Sequence, residues 1–144
     1  MGFEPDHKIQ QIAEAYALDA VDLARERFRV TLDWSDSSVQ DIESILRHLH
    51  EQMQHAKPSA DRVLQFAKIF GSYVGEVFRR NHGASWGTVS LGNDRFPGMQ
   101  AERTEVEFWP WGRAQKRLIS GPEENIWHYF QTLVAENGSP DTVP

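Results

Sequence analysis

Residues 59–80 limit what this chain can fold into more than any other segment. Val63, Leu64, Phe66, Ala67, Ile69, Phe70, Tyr73, Val74, Val77 and Phe78 recur at helical spacing and cover most of a helix circumference. A single polar stripe remains, made of Asp61, Gln65, Lys68, Ser72, Glu76 and Arg79. A helix so widely apolar must be enclosed on most sides, so it is read as the central helix of the fold. Ala67, Gly71 and Gly75 follow one another at intervals of four and stack along one side. Missing side chains there invite a neighbour to approach closely, although glycine costs about 1 kcal/mol against alanine within a helix. Glu76 lies near the C-terminal end, where a carboxylate opposes the helix dipole, and compensation is expected from Arg79, Arg80 or a following backbone N–H. His82 and Gly83 occupy the place of a left-handed C-cap.

The neighbouring segments supply partners for that helix. Residues 7–29 predict a first helix through Ile9, Ile12, Ala13, Tyr16, Ala20, Leu23, Ala24 and Phe28. After a short extended link at "VTLDW", residues 37–55 predict a second, with Val39, Ile42, Leu46, Leu49 and Met53 on one stripe and Ser38 and Asp41 spaced as a capping box. Beyond Gly83 the period changes. "SWGTVSL" and "TEVEFW" read as strands of a β-hairpin or small antiparallel sheet over about 85–109, with the turn-rich "GNDRFPGMQ" between them. Pro110 ends the second strand, and "RAQKRLI" predicts a short helix closed by Gly121. Pro122, Glu123 and Glu124 suit the first turn of a C-terminal helix over about 122–136. The expected architecture is one α+β domain over residues 1–136 and a flexible tail over 137–144.

Composition excludes several functions. The chain has 144 residues, of which 40% are hydrophobic and 25% charged, enough for one core and inconsistent with wholesale disorder. No run approaches the roughly 20 apolar residues that cross a bilayer, and "MGFEPDHKIQ" lacks a secretory layout. Asp6 stands where a myristoylation signal needs Ser or Thr. The absence of cysteine rules out disulfides, thiolate metal sites and cysteine nucleophiles, and it fits a cytoplasmic protein. The net charge of −6 resides in residues 1–61, where twelve acids meet six Lys or Arg; residues 62–144 carry nine of each. Such an acidic half repels nucleic acid and attracts basic partners.

Motifs for chemistry are sparse. In "HLHEQMQH", His50, Glu51 and His55 give HExxxH, one residue longer than the zinc-protease motif, which turns the second histidine away by roughly 140°. His48 and His55 share a face but sit about 10.5 Å apart along the axis, so a solvated face is read there and no metal is expected. "FWPWGRAQKR" joins aromatics to Arg113, Lys116 and Arg117, a pattern that suits a partner contact or an anchored strand end. No nucleophile elbow, P-loop or dinucleotide fingerprint occurs, and no cofactor is expected.

Three segments together resemble a group of small bacterial domains of uncharacterised function. These are "LDWSDSSVQDIESIL" (32–46), "GSYVGEVFRRNHGASW" (71–86) and "FWPWGRAQKRLISGPEENIWHYF" (108–130). The pattern positions are held by Leu32, Asp33, Ser35 and Ser38, then Gly71, Tyr73, Gly75, Glu76, Val77, Gly83 and Trp86. Pro110, Lys116, Arg117, Leu118 and Gly121 complete them. Gly83-Ala84-Ser85 replaces the double glycine common before the tryptophan. The resemblance implies an α+β domain without an established activity. It also implies an association with polymorphic-toxin loci, where immunity proteins neutralise toxins.

The leading expectation is a non-enzymatic protein-binding domain, an immunity protein whose acids Asp19, Asp22, Glu26, Asp36, Asp41 and Glu43 attract a basic toxin. Its candidate binding residues are Glu76, Arg79, Arg80, Trp86, Trp111, Lys116 and Arg117. The alternative is a small-molecule binder or enzyme with a pocket near Glu76, Arg79, Trp86, Lys116 and Arg117. A third expectation is a homodimer built on exposed Trp109 and Trp111.

Overall fold

The computed structural model describes residues 2–137. The order is β1 (Phe3–Pro5), α1 (His7–Phe28), α2 (Ser38–Ala56), α3 (Ala60–His82), β2 (Ala84–Leu91), β3 (Asp94–Ala101), β4 (Glu107–Phe108), α4 (Pro110–Ser120) and α5 (Ile126–Asn137). Helices pack on an antiparallel sheet of order β1-β2-β3-β4, which makes the fold α+β.

α3 is the centre. Every residue from Ile69 to Phe78 is buried, including Ser72 and Glu76 of the expected polar stripe. α1 lies against it through Ala13, Ala17, Ala20 and Ala24, whose short side chains let the two helices approach. Asp6 caps α1 by accepting from the Lys8 and Ile9 backbone N–H groups at 2.9 and 3.4 Å. Ile12, expected on the inner face, is instead 47% exposed, because the alanine stripe and not the bulkier residues meets α3.

Gly71 and Gly75 admit two different neighbours. A Cβ on Gly71 would lie 2.6 Å from the Pro110 carbonyl oxygen, so this glycine seats the start of α4. A Cβ on Gly75 would lie 2.5 Å from the Trp86 ring and 2.9 Å from Met99 Sδ, so this one receives the sheet through an indole and not a backbone. α3 ends at Gly83, whose N–H donates to the Arg79 carbonyl. Its φ of 86° and ψ of 114° lie outside the expected left-handed helical cap and turn the chain straight into β2.

α2 begins without the expected Ser38–Asp41 box. Ser35 Oγ accepts the Ser38 N–H at 3.2 Å, and Ser38 Oγ donates to the Ser35 carbonyl at 2.6 Å. Asp33 in turn holds Ser35, accepting from its N–H and its hydroxyl, so the capping set is Asp33-Ser35-Ser38.

The sheet departs furthest from expectation. "GNDRFPGMQ" is mostly strand: Gly92-Asn93 alone forms the turn, and β3 runs antiparallel to all of β2, from Leu91↔Asp94 to Ala84↔Ala101. Gly92 takes a φ of 66°, open to glycine at little cost. Pro97 lies beyond the short β3–β4 pairing at Met99 and Gln100, where a missing N–H is tolerated. The expected strand 104–109 contracts to two residues because Glu105 adopts a φ of 63° and breaks the extended run. β1 adds a fourth strand by pairing Phe3 with Val89, and its three residues are too few to show alternation in sequence.

The C-terminal helix is also split. Pro122–Glu124 forms one 3-10 turn, after which Asn125 Oδ1 accepts the His128 N–H at 2.8 Å and caps a separate α5. Asn137, expected in the tail, is the last residue of α5 and is buried; residues 138–144 lie outside the described residues.

Gly75→Leu places a branched chain where the indole sits, so unfolding free energy should fall by at least about 1–3 kcal/mol. Thermal denaturation of the variant against the parent measures this; an unchanged midpoint would contradict the close contact.

Candidate functional site

Residues of α3, β2 and α1 meet around one buried carboxylate. Gly75 opens the space into which Trp86 inserts, and this brings the indole Nε1–H to Glu76 Oε2 at 2.9 Å. Arg79, one turn on, donates from Nε to Oε2 at 2.7 Å and from Nη2 to Oε1 at 2.9 Å. Arg80 adds Nε–H to Oε1 at 3.3 Å, and Arg79 also reaches Glu14 of α1 at 3.3 Å. Glu76 is 0% exposed. Burial pushes its carboxyl upward. The hydrogen bonds from Arg79 and Trp86 and the charges of Arg79 and Arg80 outweigh this and hold its pKa below the ordinary glutamate value. The same bonds raise Arg79. A carboxylate kept ionised, sealed from water and receiving four donors has no proton to give and no free oxygen to attack with.

Arg80 continues the cluster outward. Its guanidinium lies over the Trp34 ring, 3.7 Å from the centroid. Trp34 takes a left-handed φ of 68°, and its N–H donates to the Tyr73 hydroxyl at 2.9 Å. That hydroxyl also bonds Ser38 Oγ at 2.7 Å, and burial raises its pKa. The link is pinned again at Asp36, which accepts from Asn81 Nδ2 at 3.0 Å and lies 2.8 Å from His82 Nε2.

The remaining candidates have other partners. Trp111 donates to Ser72 Oγ at 2.7 Å and packs 6.0 Å from Trp86, which explains why Ser72 is buried. Both Trp109 and Trp111 are half-buried, so neither is the exposed interface aromatic expected. Arg117 is 0% exposed and grips Glu43 with two arms, Nε at 2.9 Å and Nη2 at 2.8 Å from Oε2. Glu43 Oε1 also accepts the Ile126 N–H at 2.9 Å, tying α2, α4 and α5 together. Glu43 therefore leaves the expected acidic surface, and Asp36 is likewise engaged. Lys116, next in sequence to Arg117, lines a cleft of about 290 Å³ between β4, α4 and α5, together with Trp109, Arg113 and Tyr129. Glu76, Arg79 and Trp86 thus share one site, while Arg117 and Lys116 belong to two others.

Two histidines of α2, His48 and His50, make contacts with other elements, while His55 is exposed. His48 stacks edge-on with Phe28, and His50 Nδ1 lies 2.6 Å from the Leu118 carbonyl oxygen. Among the described residues no group of three His, Asp or Glu is placed to hold a metal ion, and no helix is long and apolar enough to cross a membrane.

No protein-family model matches the chain, and no curated protein matches it significantly in sequence. A crystal structure from Bacteroides thetaiotaomicron VPI-5482, at 1.50 Å resolution, is similar in fold with a TM-score of 0.66 and 14% identity. The likeness covers 93% of this chain and 47% of that one, so this chain spans about half the length of its structural neighbour.

Sequence reasoning identified Glu76 and its arginines but missed Glu43, Ser72 and Tyr73 as partners. Glu43 lies 74 residues from Arg117, and no local spacing signals such a pair.

Glu76→Ala leaves the Trp86 N–H without an acceptor and Arg79 without its main counter-charge, and should cost about 3 kcal/mol in urea unfolding. Because folding depresses the Glu76 pKa, its contribution is present at neutral pH and is lost on acidification below the ordinary value of 4.5. The parent should therefore lose stability below that pH more steeply than Glu76→Ala does. Glu43→Ala strands a buried arginine and should cost about 3–5 kcal/mol, whereas adding Arg117→Met should recover part of the loss. Strict additivity in that cycle would contradict the pairing.

Proposed function

We propose that this chain is a non-enzymatic protein-binding domain, acting in the cytoplasm as an immunity protein that captures a basic toxin. The observation that carries the reading is the fate of its charges. Glu76, Arg79 and Arg117 serve the packing of α3 and α4, whereas Asp19, Asp22 and Glu26 of α1 stand exposed to solvent, with Arg25 3.0 Å from Asp22 and 4.0 Å from Glu26 as a likewise exposed counter-charge. Leu18, 57% exposed, sits among them and offers apolar contact area within the acidic face. Asp41, at the start of α2, extends the acidic set. The surplus of acids in residues 1–61 then acts at long range, steering a basic partner toward the domain, and short-range packing holds it. The resemblance of the LDxS, GxYxGE and KRLxxG segments to toxin-associated domains supports the same reading.

The test is affinity capture from the native host at low and high salt, with the protein encoded beside this chain as the first bait. Parent protein should retain a basic partner at low salt and release much of it as salt rises. Reversal of Asp19, Asp22 and Glu26 to lysine should slow association about tenfold or more without changing the circular dichroism. Retention of no basic protein, or retention indifferent to both salt and charge reversal, would refute the proposal.

A further inference from the structure

We propose that the cleft between β4, α4 and α5 binds a small zwitterion: a free α-amino acid with an apolar side chain. The cleft holds about 290 Å³, close to the lower end of the roughly 300–1,000 Å³ found for small-molecule sites. Val106, Phe108 and Leu133 give it an apolar lining. Its charges are of both signs: Arg113 and Lys116 come from α4, Glu107 from β4 and Glu136 from α5.

These charges differ in how far they are already met. Arg113 donates to Glu124 Oε1 at 2.6 Å and lies over the Tyr129 ring, 4.5 Å from its centroid. It is held in place and largely neutralised. Lys116 and Glu107 line the same cleft, yet they form no ion pair with each other or with any other described residue. The Glu107 carboxylate lies beside the backbone of Gly2. Trp109, from the cleft wall, keeps a buried indole N–H that has no acceptor among the described residues.

A purely anionic ligand would meet Glu107, and a purely cationic one would meet Lys116. Each would add a like-charge contact beside an apolar wall, where such contacts are costly. One molecule carrying both signs satisfies both walls. Lys116 takes the carboxylate, Glu107 takes the ammonium, and the apolar group of the ligand covers the lining. Burial raises the Tyr129 pKa, so its phenol stays neutral and adds no charge to the wall.

The experiment uses the full chain and titrates it with L-leucine, leucine amide and N-acetyl-leucine, followed by amide NMR shifts and Trp fluorescence. Leucine should bind saturably, and loss of either charge should weaken binding about tenfold, or about 1.4 kcal/mol. Lys116→Ala should make leucine and its amide equal, and Glu107→Gln should make leucine and N-acetyl-leucine equal. Lys116→Arg should keep the preference for the free acid. Circular dichroism of each variant reports whether it has folded. Absence of saturable shifts up to about 10 mM, equal binding of all three probes, or a preference that survives both neutralising variants would overturn the assignment. Those failures leave the protein-binding proposal untouched, because the α1 acids take no part in the cleft.

Discussion

The carboxylate of Glu76 and the donors around it hold the arrangement together. An ionised group inside a core is tolerated only when its neighbours replace the water it has lost. Here two arginines of the same helix and an indole from the sheet do so, and one of the arginines reaches on to α1. The polar contact specifies which strand meets α3, and at what height, more sharply than apolar burial alone. Gly75 is its steric counterpart: the indole reaches the carboxylate because the preceding residue has no side chain.

A second polar tie organises the opposite flank. Glu43 and Arg117 join α2 to α4, and Oε1 of Glu43, which also accepts from Arg117 Nε at 3.1 Å, takes the first N–H of α5. Three helices thereby share one carboxylate, both of whose oxygens accept from Arg117. Together with the Asp33-Ser35-Ser38 cap and the Tyr73 hydroxyl, these contacts account for much of the sequence that looked functional. Residues arranged for chemistry and residues arranged for seating a buried helix draw on the same types, and only the partners distinguish them.

Legibility followed the range of the interaction. The enclosure of α3, the closeness marked by Gly71 and Gly75, and the compensation of Glu76 were visible because they depend on intervals of three and four residues within one helix. The β3 strand was hidden because turn-forming residues at 92–93 and Pro97 outweighed a weak alternation, and cross-strand pairing with β2 decided the matter. Phe3–Pro5 was invisible because three residues carry no period. Glu43 was misassigned to the surface because its partner lies in another helix far along the chain. The cleft at Lys116 is assembled from β4, α4 and α5, and a linear reading grouped that lysine with its neighbour Arg117, although Arg117 bonds Glu43 and Lys116 lines the cleft.

The pairing of β1 with β2 bears on the order of assembly. Phe3 meets Val89 across more than half of the polypeptide, whereas β2 meets β3 through a two-residue turn and α3 runs directly into β2. Closing the long loop costs more chain entropy than closing the short ones, and it is rewarded only once β2 exists to receive the strand. The ribbon behind α3 can therefore nucleate from nearby contacts, leaving the amino-terminal strand to dock late and to detach first when the molecule breathes.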